Sequence, residues 1–326
     1  MIDLRRLRAF SMIADEGHIT RAAARLGMQQ PPLTRLLQGL EAELGVKLMQ
    51  RTPRGVRPTA AGGALLEEAR AILARADGLA EVVRRAARGE TGRLAIGFTG
   101  SAALHPFVPA ALRAFREALP AVALTLEEAG TGELVDALLQ ERLDAAFVRT
   151  PIRGLPGLAI DDVLEEAMIV ALPAGHLLAT EARTSVRLSR LAEEPFILYR
   201  RPTGPGLHDA IVAACRGAGF SPNVVQEAPR LTATLSLVAA GLGLSIVPAS
   251  MRSLNIDGVA YKALSGPSAL IAPIHLATRR EDPSAVLARL RDLVGKMRTS
   301  HDAGRSSPKP SSFPRETMAR PRPIGG

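Results

Sequence analysis

Between residues 59 and 88 the chain carries apolar residues at alternating steps of three and four: Leu66, Ala69, Leu73, Ala76, Ala80, Val83 and Ala87. Leu65, Ile72 and Leu79 form a second stripe beside them. Such spacing, held for three heptads, predicts one long helix whose apolar face needs a partner helix. Thr59 is placed to cap it, and Gly89 and Gly92 bracket a hinge over 88–93. The rod divides the chain into a head and a body. Alanines in the seam permit close approach while burying little area, and Leu66, Leu73 and Val83 are its candidate dimerisation residues. A helix packed only on its own chain is the alternative.

Charge divides at nearly the same places. Residues 1–90 hold 15 Lys and Arg against 10 Asp and Glu, 296–326 hold 7 against 2, and 91–295 hold 19 against 20. A basic head on a neutral body suits a head that binds a polyanion. Aromatics are only 3% of the chain, so its cores must be built from Leu, Ala, Val and Ile. No apolar run approaches the length of a membrane span, and charges throughout residues 1–26 do not suit a secretory leader. The single cysteine, Cys215, permits no internal disulfide and reads as a small core residue in a reducing, cytoplasmic setting.

In the head, Leu4, Leu7, Phe10, Ile13 and Ala14 recur at helical steps, and Gly17 ends that helix. Thr20 precedes a second short helix through Ala22, Ala23, Ala24 and Leu26, closed by Gly27. A third begins near Gln30, opened by Pro31 and Pro32, with Leu33, Leu36, Leu37, Leu40 and Leu44 on its buried face. Proline suits a first turn, where amides lack intrahelical acceptors. Two short helices across a tight turn make a helix-turn-helix, whose second helix enters the major groove of duplex DNA. The opposite face of that helix offers Gln30, Thr34, Arg35 and Gln38, glutamine suiting adenine and arginine guanine. Val46 and Leu48 read as strand residues. Arg51, Arg54 and Arg57 around Gly55 form a basic turn that can serve as a wing over the DNA backbone or minor groove. A three-helix domain with ordinary surface arginines is the competing reading.

The stretches LRRLRAF and GHITRAAARLGMQQPPLTRLLQGLEAELGVKLMQRTPRGVRPTAAG lie within residues 4–62. Their succession of Thr20, Ala22, Ala23, Leu26, Gln30, Pro31, Thr34, Arg35, Leu40, Glu41, Leu44, Gly45, Leu48 and Arg51 closely resembles the N-terminal domain of LysR-type transcriptional regulators. The segment QPPLTR is similar to the branch that regulates aromatic-compound degradation. The resemblance continues less tightly to about residue 298, and departs from the family pattern at His18, Leu36 and Met49. It implies base or phosphate contact by Gln30, Pro31, Thr34, Arg35 and Arg54. It further implies an antiparallel pairing of two linker helices, giving homodimers and homotetramers, with double-stranded promoter DNA and RNA polymerase as partners.

Beyond the rod, short apolar runs at 94–98, 122–126, 145–148, 168–172, 196–199, 224–226, 244–247 and 274–278 read as strands. Helices are expected at 106–117, 132–140, 207–217 and 231–240, with a last one opened by Asp282 and Pro283 and ending near Met297. Strands buried between helices predict an α/β architecture with parallel pairing. The resemblance implies two lobes of the periplasmic-binding-protein type, lobe one being 93–163 plus 270–298 and lobe two 164–269. The expected organisation is a winged helix-turn-helix at 1–58, a linker helix at 59–89, an effector-binding domain at 90–298 and a disordered basic tail at 299–326.

Open α/β sheets bind ligands beyond the carboxyl ends of their strands. Those loops hold Thr99, Gly100 and Ser101, then Thr131, then Arg149, while lobe two supplies Pro202, Thr203 and Gly204. Thr131 lies where a helix begins, where hydroxyls and free amides satisfy anionic oxygens, and Arg149 can add a charge-assisted contact. The expected effector is therefore a small organic acid; the resemblance implies an aromatic acid or a ring-cleavage product. Thr99 and Ser101 are alternatives within the first loop. In the competing reading Thr131 only caps its helix and Arg149 only pairs with an acidic neighbour.

Enzyme chemistry finds little footing. The segment 241–245 lacks the third glycine of a dinucleotide fingerprint, no G-x-S-x-G elbow occurs, and His105 and His208 show no metal-ligand spacing with Cys215. The pairs Glu127 and Glu128, Asp161 and Asp162, Glu165 and Glu166, and Glu193 and Glu194 are adjacent, so on a strand their members face opposite ways and read as solvated edges. No cofactor or metal is expected. A small-molecule-binding protein of the periplasmic type, without regulatory DNA binding, is the main alternative.

Overall fold

The structure is a computed structural model that describes residues 2–149, 155–199, 206–266 and 270–306. It divides into two compact units between Ala87 and Arg88.

In the first unit, α1 (Leu4–Glu16) starts where the Asp3 side chain accepts the Arg6 N–H at 2.8 Å and stops at the left-handed Gly17. Then come α2 (Ile19–Arg25), α3 (Gln30–Leu44), the antiparallel hairpin β1 (Met49–Thr52) and β2 (Gly55–Pro58), and α4 (Ala60–Ala87). The strands lie three residues later than Val46, because Leu48 is drawn into the core. Leu7, Phe10, Ile13, Leu33, Leu37, Leu40 and Leu48 build that core. Each such side chain contributes about 1.5–3 kcal/mol of burial.

Glu41 ties α3 to the hairpin. It is 7% exposed and accepts the amides of Leu48 at 3.0 Å and Met49 at 3.3 Å, with Lys47 Nζ at 2.7 Å. Burial alone would raise its pKa, but the lysine and the two amides outweigh it and hold the carboxyl below its ordinary value.

The linker helix departs from the expected seam. Thr59 does cap α4, its hydroxyl accepting the Gly62 amide at 3.0 Å. However, Leu65, Leu66, Ala69 and Leu73 pack into the head's own core. Leu66 and Leu73, the candidate dimerisation residues, are half-buried and pack within the chain as well, because the first half of α4 covers α1. The apolar surface left uncovered is Ile72, Leu79, Val82 and Val83, the last three being 61%, 62% and 66% exposed.

The second unit runs β3 (Gly92–Phe98), α5 (Gly100–Ala103), α6 (Phe107–Ala118), β4 (Val122–Glu128), α7 (Thr131–Leu139), β5 (Ala145–Val148) and β6 (Leu158–Pro173). It continues through α8 (Leu177–Thr180), β7 (Ser185–Arg187), β8 (Pro195–Tyr199), α9 (Leu207–Gly217), β9 (Asn223–Ala228) and α10 (Leu231–Ala239). Strands β10 (Ser245–Pro248), β11 (Val259–Ser265) and β12 (Ile271–Arg279) and the helix α11 (Ala285–Ser306) complete it.

Pairing is parallel for β3 with β4 and β5, for β8 with β9 and for β7 with β11, but β6, β10, β11 and β12 also pair antiparallel. The expectation of parallel pairing therefore holds for only part of each lobe, since β12 pairs antiparallel with β5 in lobe one and β10 and β11 pair antiparallel with β6 in lobe two. The cause is β6, which runs out of lobe one into lobe two, and β12, which returns beside it in the opposite direction. Val163, Leu164, Ile274 and Leu276 belong to one core, while Met168, Leu270 and Ala272 belong to the other. The changeover thus falls at residues 165–167 of β6 and at Pro273 of β12. A register shift between Ile274 and His275 lets both Val163 and Leu164 turn inward. The first half of β6 escapes hydrophobic patterning because Asp161, Asp162, Glu165 and Glu166 interrupt it.

Helix α11 buries Val286, Leu287, Leu290 and Val294 and continues to Ser306, beyond the expected end near Met297. The Thr299 and Ser300 hydroxyls bond back to the Gly295 and Lys296 carbonyls at 3.1 and 3.2 Å, within the part of the helix beyond its apolar stripe. The rest of the predicted tail, 307–326, lies outside the described residues. Among the described residues no helix is long and apolar enough to cross a membrane. Cys215 is fully buried, and burial pushes its thiol up to about 11, away from thiolate chemistry.

Candidate functional site

The predicted DNA contacts of the head fall on two elements, α3 and the hairpin. Gln30, Pro31, Arg35 and Gln38 are exposed on α3, Thr34 is half-buried, and Arg51, Arg54 and Arg57 are exposed on the hairpin. Only Pro53 and Arg54 separate β1 from β2, so Arg54 occupies the tip of the wing. The wing is fastened to the turn between α1 and α2 by the Val56 amide on the Gly17 carbonyl at 2.9 Å. Gly55 has φ +137°, and a Cβ there would lie 2.2 Å from the Gly17 oxygen, so only glycine lets the two turns meet.

Charge sorting within the head is a tertiary result. Arg6 pairs with Glu43 at 2.7 Å, Arg25 with Glu16 at 3.2 Å, and Arg8 and Arg70 with Asp77 and Asp15. Arg35, Arg51, Arg54 and Arg57 have no such partner among the described residues. Their charge remains for an external polyanion. Pro31 and Pro32 remove two amides from the first turn of α3, so recognition falls to side chains more than to the helix terminus.

In the body, Thr99, Thr131 and Arg149 follow β3, β4 and β5, three adjacent parallel strands, and so share one sheet edge. The Thr99 hydroxyl is buried and has no hydrogen-bond partner among the described residues. Gly100 begins α5, and Ser101, 7% exposed, turns its carbonyl toward Arg149. Thr131 is the first residue of α7, whose Gly130 amide is already taken by Glu133 at 2.8 Å. An anion at that terminus has to share it with this carboxylate. Pro202, Thr203 and Gly204 lie outside the described residues.

Arg149 does pair with an acidic neighbour, while its buried Nε has no hydrogen-bond partner among the described residues. It is 2% exposed, with Nη2 2.5 Å from Glu166 Oε2 and 2.9 Å from the Ser101 carbonyl, and Nη1 2.9 Å from the Ala272 carbonyl. Burial lowers its pKa and the Glu166 charge opposes that shift, but an arginine stays protonated throughout. The Ser250 amide also donates to Glu166, and the Ser250 hydroxyl lies 3.4 Å from Arg149. Glu166 is therefore corrected from a solvated edge residue to the buried counter-ion of Arg149, at the changeover between lobes. Its polar neighbours on β6 hide this in the sequence.

Tyr199, which sequence reasoning passed over as a site residue, ends β8 in the neighbourhood of Arg149. Burial raises its phenol pKa, so the ring stays neutral.

Residues 4–63 match the family described as bacterial regulatory helix-turn-helix protein, lysR family, and residues 87–298 match the LysR substrate binding domain. The HTH-type transcriptional regulator BudR of Raoultella terrigena is 35% identical over 90% of this chain and 100% of its own. The crystal structure of full-length CbnR with its target DNA has a TM-score of 0.81 at 32% identity, covering 91% of this chain and 100% of that one. The BenM effector binding domain with its effector benzoate gives 0.59 at 28% identity, covering 67% of this chain and 96% of that one. The relatives are transcriptional regulators, not enzymes, and a binding protein without a DNA-binding head does not account for the match at 4–63. Head and body together make this chain a member of the LysR family of helix-turn-helix transcriptional regulators.

Proposed function

We propose that the chain is a cytoplasmic, self-associating regulator that reads promoter DNA with α3 and the wing and senses a small organic acid in the body. The domain limits proposed are 1–58 for the DNA-binding head, 59–89 for the linker, and 90–298 for the effector domain. The unpaired arginines of α3 and the wing carry the DNA reading, supported by CbnR with its target DNA. Arg35→Ala and Arg54→Ala should each weaken operator binding about 5- to 100-fold at fixed salt, since good base contacts contribute ~1–3 kcal/mol. If Arg54 touches a phosphate, its loss should also reduce the salt slope of log K by about one. A gel-shift titration at several salt concentrations checks both, and unchanged affinity in both variants sinks the assignment.

The effector reading rests on the unsatisfied Thr99 hydroxyl at the end of β3, beside the start of α7. Benzoate as the effector of BenM supports an aromatic or related unsaturated acid, and with it the aromatic-degradation branch. Thr99, Gly100, Ser101 and Thr131 are the proposed contacts, with 202–204 as the proposed second wall. Arg149 acts on this site through position, because Glu166 already occupies its charge. Calorimetric titration with aromatic and unsaturated dicarboxylic acids should show saturable binding that weakens about tenfold in Thr99→Val, the cost of one hydrogen bond to a charged group. Arg149→Met should lower the melting temperature while retaining the preference for acids. Binding of neutral ligands alone discards the acid.

A further inference from the structure

We infer that Thr20 fixes which end of the Gln30 carboxamide faces DNA, and thereby which base Gln30 accepts. This rests on the assignment of Gln30 to base edges above. Thr20 lies on α2 and Gln30 opens α3, and the Thr20 hydroxyl donates to Gln30 Oε1 at 3.1 Å across the turn between them. Both residues are exposed on the recognition side of the head.

Several features favour this bond over its competitors. Pro31 and Pro32 have no N–H, which removes the amides that ordinarily attract a side-chain oxygen in a first helical turn. Thr34, the nearest hydroxyl on α3 itself, donates instead to the Gln30 main-chain carbonyl at 3.0 Å. Thr20 is left as the donor for Oε1. With its oxygen turned toward α2, the carboxamide presents its nitrogen outward, as a pair of N–H donors.

That orientation changes what the residue reads. A free glutamine pairs with adenine by using both ends, accepting from N6–H and donating to N7. An outward amide nitrogen needs acceptors: guanine offers O6 and N7 and thymine O4, whereas adenine offers N7 only beside an N6–H donor that the turned-away oxygen no longer accepts. The locked side chain therefore favours guanine or thymine where an unconstrained glutamine favours adenine. Thr20 is a positioning residue. It changes base choice through Gln30, without itself touching a base.

The test uses the full-length chain and a gel-shift panel in which each operator position carries each of the four bases. Gln30→Ala identifies the position that Gln30 reads, as the one where base preference flattens. At that position the wild type should prefer guanine or thymine. Thr20→Val, close in shape but without the donor, should move the preference toward adenine by at least about fivefold, and Thr20→Ala should do the same. Thr20→Ser, which restores the hydroxyl, should return the wild-type profile; a merely structural role for Thr20 would leave all these profiles alike. Adenine preferred by the wild type, or unaltered preference in both Thr20→Val and Thr20→Ala, overturns the inference. If Gln30→Ala flattens no position, the assignment of Gln30 to bases fails, and the role of Thr20 falls with it. A response to Gln30→Ala without a response to Thr20 substitution removes only Thr20.

Discussion

Glu166→Ala should destabilise the body by about 3–5 kcal/mol, the cost of stranding one member of a buried ion pair. The substitution leaves Arg149, 2% exposed, with no counter-ion, and removes the acceptor of the Ser250 amide as well. The damage concentrates where β6 and β12 pass between the lobes. Glu166→Gln keeps an acceptor for Ser250 and should cost less. The double variant Arg149→Met with Glu166→Leu should be much closer to wild type than Glu166→Ala, because apolar replacements remove the desolvation penalty together with the pair. Urea denaturation of the four proteins measures this. A Glu166→Ala body as stable as wild type would mean that the pair is not the tie between lobes that its burial indicates.

Leu79→Glu should separate self-association from folding. Leu79 is 61% exposed and, with Ile72, Val82 and Val83, forms the part of the α4 seam that the head's own core leaves uncovered. A charge there leaves the packing of Leu65, Leu66 and Leu73 intact. Two linked heads gain affinity from effective concentration, commonly by 10²- to 10⁴-fold, so a monomeric variant should lose operator affinity on about that scale. Sedimentation should show the wild type self-associated at micromolar concentration and the variant dissociated, with the melting temperature nearly unchanged. Leu73→Glu is the poorer experiment, since it breaks the head's core at the same time. A dimeric Leu79→Glu would move the interface away from this stripe.

The sequence by itself determined the elements whose signals are local. Helical spacing, the glycine stops at Gly17 and Gly45, and prolines in a first turn mark the three helices of the head without any tertiary information. The same holds for the Thr59 cap and for apolar strands such as β5, because periodicity and capping depend on neighbours along the chain. Tertiary structure decided everything that depends on which surfaces meet. The α4 seam looks uniform over three heptads, yet α1 covers its first half and leaves its second half free. No pattern within the helix encodes that division. Glu165 and Glu166 read alike, but the pleat sends one outward and the other onto Arg149, and a partner 17 residues away cannot be inferred from spacing. The first half of β6 was illegible because its strand character comes from pairing with β12, more than 100 residues later, and its acidic residues mask any apolar alternation. Thr20 and Gln30 were each visible as polar residues of a helix-turn-helix. Only the turn that brings α2 against α3 makes one the donor to the other, since a hydrogen bond is specified by distance and direction and not by composition.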